Sequence, residues 1–150
     1  MKKHSAGIIV YRQQDGEVEV LLLHLGGPFW AKKDSWTIPK GEIEPDEEEL
    51  AAAKREFLEE VGIMPPEGRY IDLGLIDQPP DKTNHIWAIK GNLDLAQFKC
   101  NEFSMEWPPR SGKMQTFPEF DRPEWFTLNE ARAKLLKAQQ SFIDRLDSKI

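Results

Sequence analysis

Two periodicities of apolar residues run along this chain, and the change from one to the other marks its elements. Residues 6–11 and 18–24 are aliphatic, β-rich runs separated by Arg12-Gln13-Gln14-Asp15-Gly16. The Asp-Gly pair is a turn signal, so the pattern predicts a β-hairpin. Gly26-Gly27-Pro28 ends the second strand and opens a loop carrying Trp30, Lys32 and Lys33. Residues 36–38 read as a short extended piece, because Pro39 biases Ile38 toward β geometry. The period then becomes helical. Leu50, Ala53, Phe57 and Val61 recur three to four apart, which makes one buried stripe. Glu44-Pro45-Asp46 reads as the helix start, and Gly62 followed by Ile63 as its left-handed end.

Pro65-Pro66-Glu67-Gly68 breaks the chain. Residues 70–76 and 84–90 then read as strands joined by the loop 77–82, and residues 98–107 as a further strand before the loop 108–113. Residues 124–126 are a short extended piece. Thr127 and Glu130 form a capping-box signature that starts a helix to about Lys137. Phe142, Ile143 and Leu146 give a last amphipathic segment. This order of strands, one central helix, more strands and terminal helices predicts an α+β fold in a single domain over residues 1–150, with no internal repeat or linker.

The polar side of the central helix carries the chemistry. Glu56, Glu59 and Glu60 crowd the last turn before Gly62, where like charges three or four apart repel and the helix end prefers cations. A bound divalent cation reverses the sign of each of these effects, and carboxylate oxygens suit Mg²⁺. The alternative is a solvated acidic face made of Glu47, Glu48, Glu49, Glu59 and Glu60, which leaves the surrounding residues unexplained.

Those residues are Gly41, Glu47, Arg55, Glu56, Phe57, Glu59, Glu60, Gly62 and Ile63. They match the Nudix box, G-x5-E-x7-R-E-U-x-E-E-x-G-U with U a bulky apolar residue, at every defined position. A chance match of the seven Gly, Arg and Glu positions is on the order of 1 in 10⁸ per window. Trp36, Pro39 and Lys40 resemble the family's lead-in. The chain with its WTIPKGE and EWPPRSGK segments resembles a bacterial-type branch of predicted NTP pyrophosphohydrolases, near the dinucleoside-polyphosphate hydrolases.

The resemblance implies a Nudix fold, a mixed β-sheet sandwiched between α-helices. It implies hydrolysis of a nucleoside diphosphate linked to another group X, with water attacking phosphorus and Mg²⁺ or Mn²⁺ as cofactor. The metal would be held by Glu56, Glu59, Glu60 and the backbone carbonyl of Lys40, while Gly41 lets that loop approach the phosphates. Arg55 is expected to orient a box carboxylate with Glu47 as helper. Glu56 and Glu119 are the candidates for the general base, ahead of Glu102 and Glu106. Lys33, Lys40, Arg110 and Lys113 are candidate phosphate contacts, and Trp30, Trp87 and Trp107 can stack a purine, although Trp87 in an alternating strand reads as packing. His85 reads as structural.

Composition narrows the remainder. The net charge of −6 argues against a stable nucleic-acid partner or an anionic membrane surface, yet it leaves room for a nucleotide substrate. The lone Cys100 permits no internal disulfide and reads as a small packing residue. The start of the chain has no apolar run of signal or membrane length, so the expected location is cytoplasmic, as a monomer or homodimer. Diadenosine tetraphosphate or a nucleoside triphosphate is the expected substrate. An ADP-ribose or nucleotide-sugar pyrophosphatase, or a non-catalytic nucleotide-binding module on the same fold, is the alternative.

Overall fold

The computed structural model describes residues 3–150. Strands β1 (Lys3–Gln14) and β2 (Glu17–Leu25) form the expected hairpin. Asp15 and Gly16 both take positive φ, 52° and 83°, as a two-residue turn of this kind requires. β3 (Trp36–Thr37) and β4 (Lys40–Glu42) lead into helix α1 (Glu49–Val61). β5 (Ile71–Gln78) and β6 (Lys82–Lys90) form a second hairpin. A small separate ribbon, β7 (Glu102–Glu106) and β8 (Met114–Pro118), precedes β9 (Phe120–Thr127), α2 (Leu128–Lys134) and α3 (Gln140–Asp147).

The main sheet has a fork that sets up everything around the site. β1 pairs with β2 only at Tyr11–Gln14. Beyond that the two strands diverge, and β4 takes over the same flank of β1 at Ser5–Gly7 while β3 takes the flank of β2 at Leu23 and His24. The segment 36–42 therefore threads the gap. On the other flank β1 runs parallel to β6 over nine residues, from Lys3↔Lys82 to Tyr11↔Lys90. β9 closes the far edge against β2.

Both faces of the sheet are covered, so its central strands are apolar on both sides. Ile9, Val20, Leu22, Ile86 and Ala88 point to the layer built from Trp36, Phe126, Ala131 and the α3 residues Phe142, Ile143 and Leu146. Ile8, Val10, Leu21, Leu23, Trp87 and Ile89 point to Ala52, Ala53, Phe57 and Val61 of α1. Together these form the α+β sandwich that the family resemblance implies. Among the described residues no helix is long and apolar enough to cross a membrane.

Several element boundaries differ from the sequence expectation. The helix starts at Glu49, with the Glu48 side chain capping Ala51 N–H at 2.6 Å, not at Glu44-Pro45-Asp46. Asp46 takes φ 64°, which no helix interior permits, and the Glu47 carboxylate turns back to receive Glu44 N–H. The expected loop 77–82 is a tight turn between two long strands. β9 extends over eight residues because it is an edge, where Pro123 removes no ladder bond that the sheet needs. α2 stops at Lys134, short of the expected Lys137, and its Thr127–Glu130 capping box is present in both directions.

Candidate active site

α1 ends where the forked strands leave room, and the local geometry brings its carboxylates to the β4 backbone. Gly62 takes φ 76° and donates its N–H to Leu58 O, closing the helix. A Cβ there would lie 2.2 Å from the Lys99 carbonyl oxygen, so the segment after β6 packs directly on the α1 terminus. Gly41 serves a related purpose in β4. A Cβ built on it would lie 2.0 Å from Glu56 Oε2, so only glycine leaves space for that carboxylate. This refines the sequence expectation, in which Gly41 made room for phosphates.

Glu60 is 9% exposed, unusual for a carboxylate. Lys40 N–H donates to its Oε1 at 2.9 Å. Burial pushes its pKa up to about 8, against the effect of that bond and reinforced by Glu119 and Glu56. The Lys40 ammonium is also mostly buried, which with the neighbouring Lys82 lowers its pKa to about 8. Glu56 is raised by burial, opposed by its bond to Arg55 and reinforced by Glu59 and Glu119. Glu119 is raised by partial burial and by Glu59. Its backbone is fixed on both sides: Glu119 N–H donates to Asn101 O, and Gly26 N–H donates to Glu119 O, each at 3.0 Å.

Arg55 is the hub of the exposed side. Its Nε and Nη2 bond the two oxygens of Glu47 at 2.8 and 2.9 Å, a bidentate fork, and Nη1 bonds Glu56 at 2.8 Å and lies 3.4 Å from Glu59. Nη2 also reaches the Glu42 carbonyl at 3.1 Å. The guanidinium holds Glu47 down at a pKa of about 2. Among the described residues no three His, Cys, Asp or Glu side chains converge as a ready-made metal cage. Arg55 accounts for this, because it draws Glu56 and Glu59 toward itself while Glu60 turns to Lys40. The donor set still fits a hard divalent cation: the buried Glu60 and the half-buried Glu56, both with pKa values raised by burial and by neighbouring carboxylates, lie beside a backbone cradle that excludes a Cβ.

The remaining candidates are more dispersed. The Lys33 ammonium lies over the exposed Trp30 ring at 5.0 Å, in the loop after β2. Arg110 and Lys113 are exposed at the tip of the β7–β8 ribbon, where their backbone N–H groups bond Glu106 and Ser111. Trp107, on the same ribbon, meets Phe29 edge-on at 5.0 Å. Trp87 is 8% exposed and belongs to the core, with the His85 ring stacked on it at 3.8 Å and bonded to Asp72. Cys100 donates its thiol to Phe120 O at 3.0 Å.

Two supporting residues escaped the sequence. Gln139 is buried and bonds Ile38 N–H at 2.9 Å and the Thr37 hydroxyl, fixing the segment that leads to Lys40 from a hundred residues away. His24, also buried, bonds Asp121 at 2.8 Å and the Lys33 carbonyl, tying the loop of Trp30 to the start of β9. A histidine inside an aliphatic strand was the available signal for the second. For Gln139, within the mostly polar stretch 137–140, there was none.

The NUDIX domain family model matches residues 1–146. The chain belongs to the NUDIX family. Over 59 residues it is 42% identical to the asymmetrical Bis(5'-nucleosyl)-tetraphosphatase of Caenorhabditis elegans, a match covering 39% of this chain and 40% of that protein. Over 86 residues it is 34% identical to the Diphosphoinositol polyphosphate phosphohydrolase NUDT4B of Homo sapiens, covering 57% and 44%. The chain thus spans less than half the length of these curated relatives. The fold matches a C. elegans Ap4A hydrolase binary complex with a TM-score of 0.65 at 24% identity, covering 97% of this chain and 96% of that one. It also matches the NUDIX domain of Shewanella oneidensis NrtR complexed with ADP ribose, with a TM-score of 0.66 at 14% identity, covering 99% and 88%.

Proposed function

We propose that this NUDIX chain is a divalent-metal-dependent pyrophosphohydrolase that cleaves a nucleoside diphosphate linked to X by water attack at phosphorus. The observation that carries the reading is Glu60, a buried carboxylate bonded to Lys40 N–H with Glu56 and Glu119 as its charged neighbours. Glu56, Glu59, Glu60 and the Lys40 carbonyl are the groups that would hold Mg²⁺ or Mn²⁺. When bound, such an ion neutralises phosphate charge and lowers the pKa of a coordinated water.

The chain's own residues do the rest. Arg55, anchored on Glu47, holds the Glu56 carboxylate in one orientation beside Gly41. Glu119, its pKa raised by partial burial and by Glu59 and its backbone fixed by two hydrogen bonds, is a candidate base for the proton of the attacking water. Glu56 is the other candidate for that proton. Lys33, Lys40, Arg110 and Lys113 supply cations for the outer phosphates, and Trp30 and Trp107 present faces for a base. A covalent nucleophile is not part of the scheme, since the Cys100 thiol is half-buried and engaged with a carbonyl.

Diadenosine tetraphosphate is the proposed first substrate. The C. elegans tetraphosphatase relative supports it, as do several loop cations beyond the carboxylate cluster. A diphosphoinositol polyphosphate is the second reading, favoured by the human relative. A panel of dinucleoside polyphosphates, nucleoside triphosphates, ADP-ribose and a diphosphoinositol polyphosphate, assayed with Mg²⁺ in ¹⁸O-water, tests the proposal. The expected result is label on one phosphorus and the highest kcat/KM for the tetraphosphate. A better kcat/KM for ADP-ribose removes the substrate assignment, and no turnover of any anhydride with Mg²⁺ or Mn²⁺ removes the activity.

Metal linkage gives an independent check. A cation held by Glu56, Glu59 and Glu60 binds only the folded arrangement that brings them near one another, so binding stabilises the folded state. Raising Mg²⁺ or Mn²⁺ to about 100-fold above its Kd is expected to lift the Tm by about 5–10 °C. Glu60→Gln should shrink that rise. An unchanged Tm in the wild-type protein at tens of millimolar metal sinks the idea of an ion held by these carboxylates.

A further inference from the structure

A second concavity lies away from the carboxylates. A groove of about 620 Å³ is lined by Tyr11, Arg69, Tyr70, Ile71, Asp72, Ile89, Lys90 and Lys149, with Gly68 at its rim. The sheet register sets its distance from the candidate active site. Gly7 pairs with Lys40 beside the α1 carboxylates, whereas Tyr11 pairs with Lys90 four residues further along β1, roughly 13 Å away. The groove thus lies at the opposite end of the sheet, between the edge strand β5 and the end of β6.

Its lining is complementary to an anion, in a chain whose net charge is −6. Arg69, Lys90 and Lys149 converge on it, and among the described residues none of the three is held in a side-chain ion pair. The one carboxylate in the lining, Asp72, is already committed: it receives His85 Nε2 and Gly74 N–H, each at 2.7 Å. Lys149 lies near enough to Asp72 to help lower that carboxyl's pKa, and the positive charge left over from three cations and one carboxylate favours a bound anion. The rest of the lining is apolar and aromatic. Tyr70 is locked by its hydroxyl, which donates to Pro66 O, and by Lys54 over its ring at 4.8 Å. Tyr11 and Ile71 are partly buried against the core behind it. The volume falls in the range of small-molecule sites, which pair an apolar wall with a few convergent polar groups.

We propose that this groove is a second ligand site, separate from the carboxylate cluster, for a phosphomonoester on a planar apolar body, a nucleoside monophosphate being the type. Its phosphate lies among Arg69, Lys90 and Lys149, and its base lies along Tyr11, Tyr70 and Ile71. The proposal does not rest on the pyrophosphohydrolase reading, because it needs neither metal nor turnover.

AMP titrated into ¹⁵N-labelled protein in EDTA tests it, since the carboxylate cluster without metal repels phosphate. Amide shifts are expected at residues 68–72 and 89–90, saturating at one equivalent. The affinity should fall several-fold between 50 and 300 mM NaCl. Adenosine should leave these amides unmoved, and the exposed double variant Arg69→Glu/Lys90→Glu, folded with an unchanged Tm, should bind AMP at least 10-fold more weakly. Four results overturn the site: no shifts at 5 mM AMP, shifts confined to residues 26–33 and 102–119, equal binding of adenosine, or equal affinity in the double variant.

Discussion

Glu56→Gln and Glu60→Gln are each expected to lower kcat by about 10²–10³-fold at saturating Mg²⁺, the several kcal/mol that one charged ligand contributes to a phosphoryl-transfer site. The fold should survive both changes. In Glu60→Gln the amide oxygen can still receive Lys40 N–H, and a neutral amide is cheaper to bury than an ionised carboxylate. Glu56→Gln keeps an oxygen for Arg55 Nη1. Steady-state kinetics with far-ultraviolet circular dichroism and a melting curve separate the two possibilities. A variant with near-wild-type kcat and a normal melt would show that its carboxylate has no part in the reaction. Loss of activity together with loss of the melting transition would identify a structural role instead.

Gly41→Ala is expected to lower kcat by about 10²-fold while leaving the metal-free protein folded. The added methyl would lie 2.0 Å from Glu56 Oε2 and 2.1 Å from its Cδ, so the carboxylate must leave the β4 backbone. Glu56 is a flexible side chain with solvent on one side, and the backbone of Gly41 is not in the left-handed region. The cost therefore falls on orientation, where displacements near 1 Å are worth about 10²-fold, rather than on the fold. The measurement is kcat and KM alongside the EDTA melting curve. A Gly41→Ala enzyme as fast as the wild type would mean that Glu56 works from a position other than the one seen beside Gly41.

What could be read from the chain follows from how local each feature is. The stripe Leu50-Ala53-Phe57-Val61 and the carboxylates of the last turn repeat with the helical period, so the helix and the face carrying Glu56 and Glu60 are legible in the sequence. The left-handed end at Gly62 was visible for the same reason. The helix start was not, because it depends on Glu47 reaching eight residues ahead to Arg55 and so pulling residues 44–47 out of the helix. β9 was seen only in its last residues. Pro118, Pro123 and the charges between them hide an alternation that an edge strand does not need to display. The burial of Glu60 and of Lys40 was equally hidden. It results from β4 lying against β1 across the fork, with Lys82 arriving from the parallel partner strand. Gln139, bonded across a hundred residues to Ile38, shows the limit most clearly.

The fork between β1 and β2 also bears on how such a chain can diversify. Residues 36–42 are anchored at both ends, by β3 on one strand of the fork and β4 on the other, with Gln139 clamping the middle. The pieces that carry Trp30, Lys33, Arg110, Lys113 and Trp107 hang outside this clamp, in the loop after β2 and in a ribbon that shares no ladder with the main sheet. Lengthening, shortening or grafting those pieces changes what can be gripped without moving the α1 carboxylates or the β4 backbone beside them. The architecture thus divides like a tool with a fixed head and interchangeable jaws, and recombination among relatives can trade the jaws one at a time.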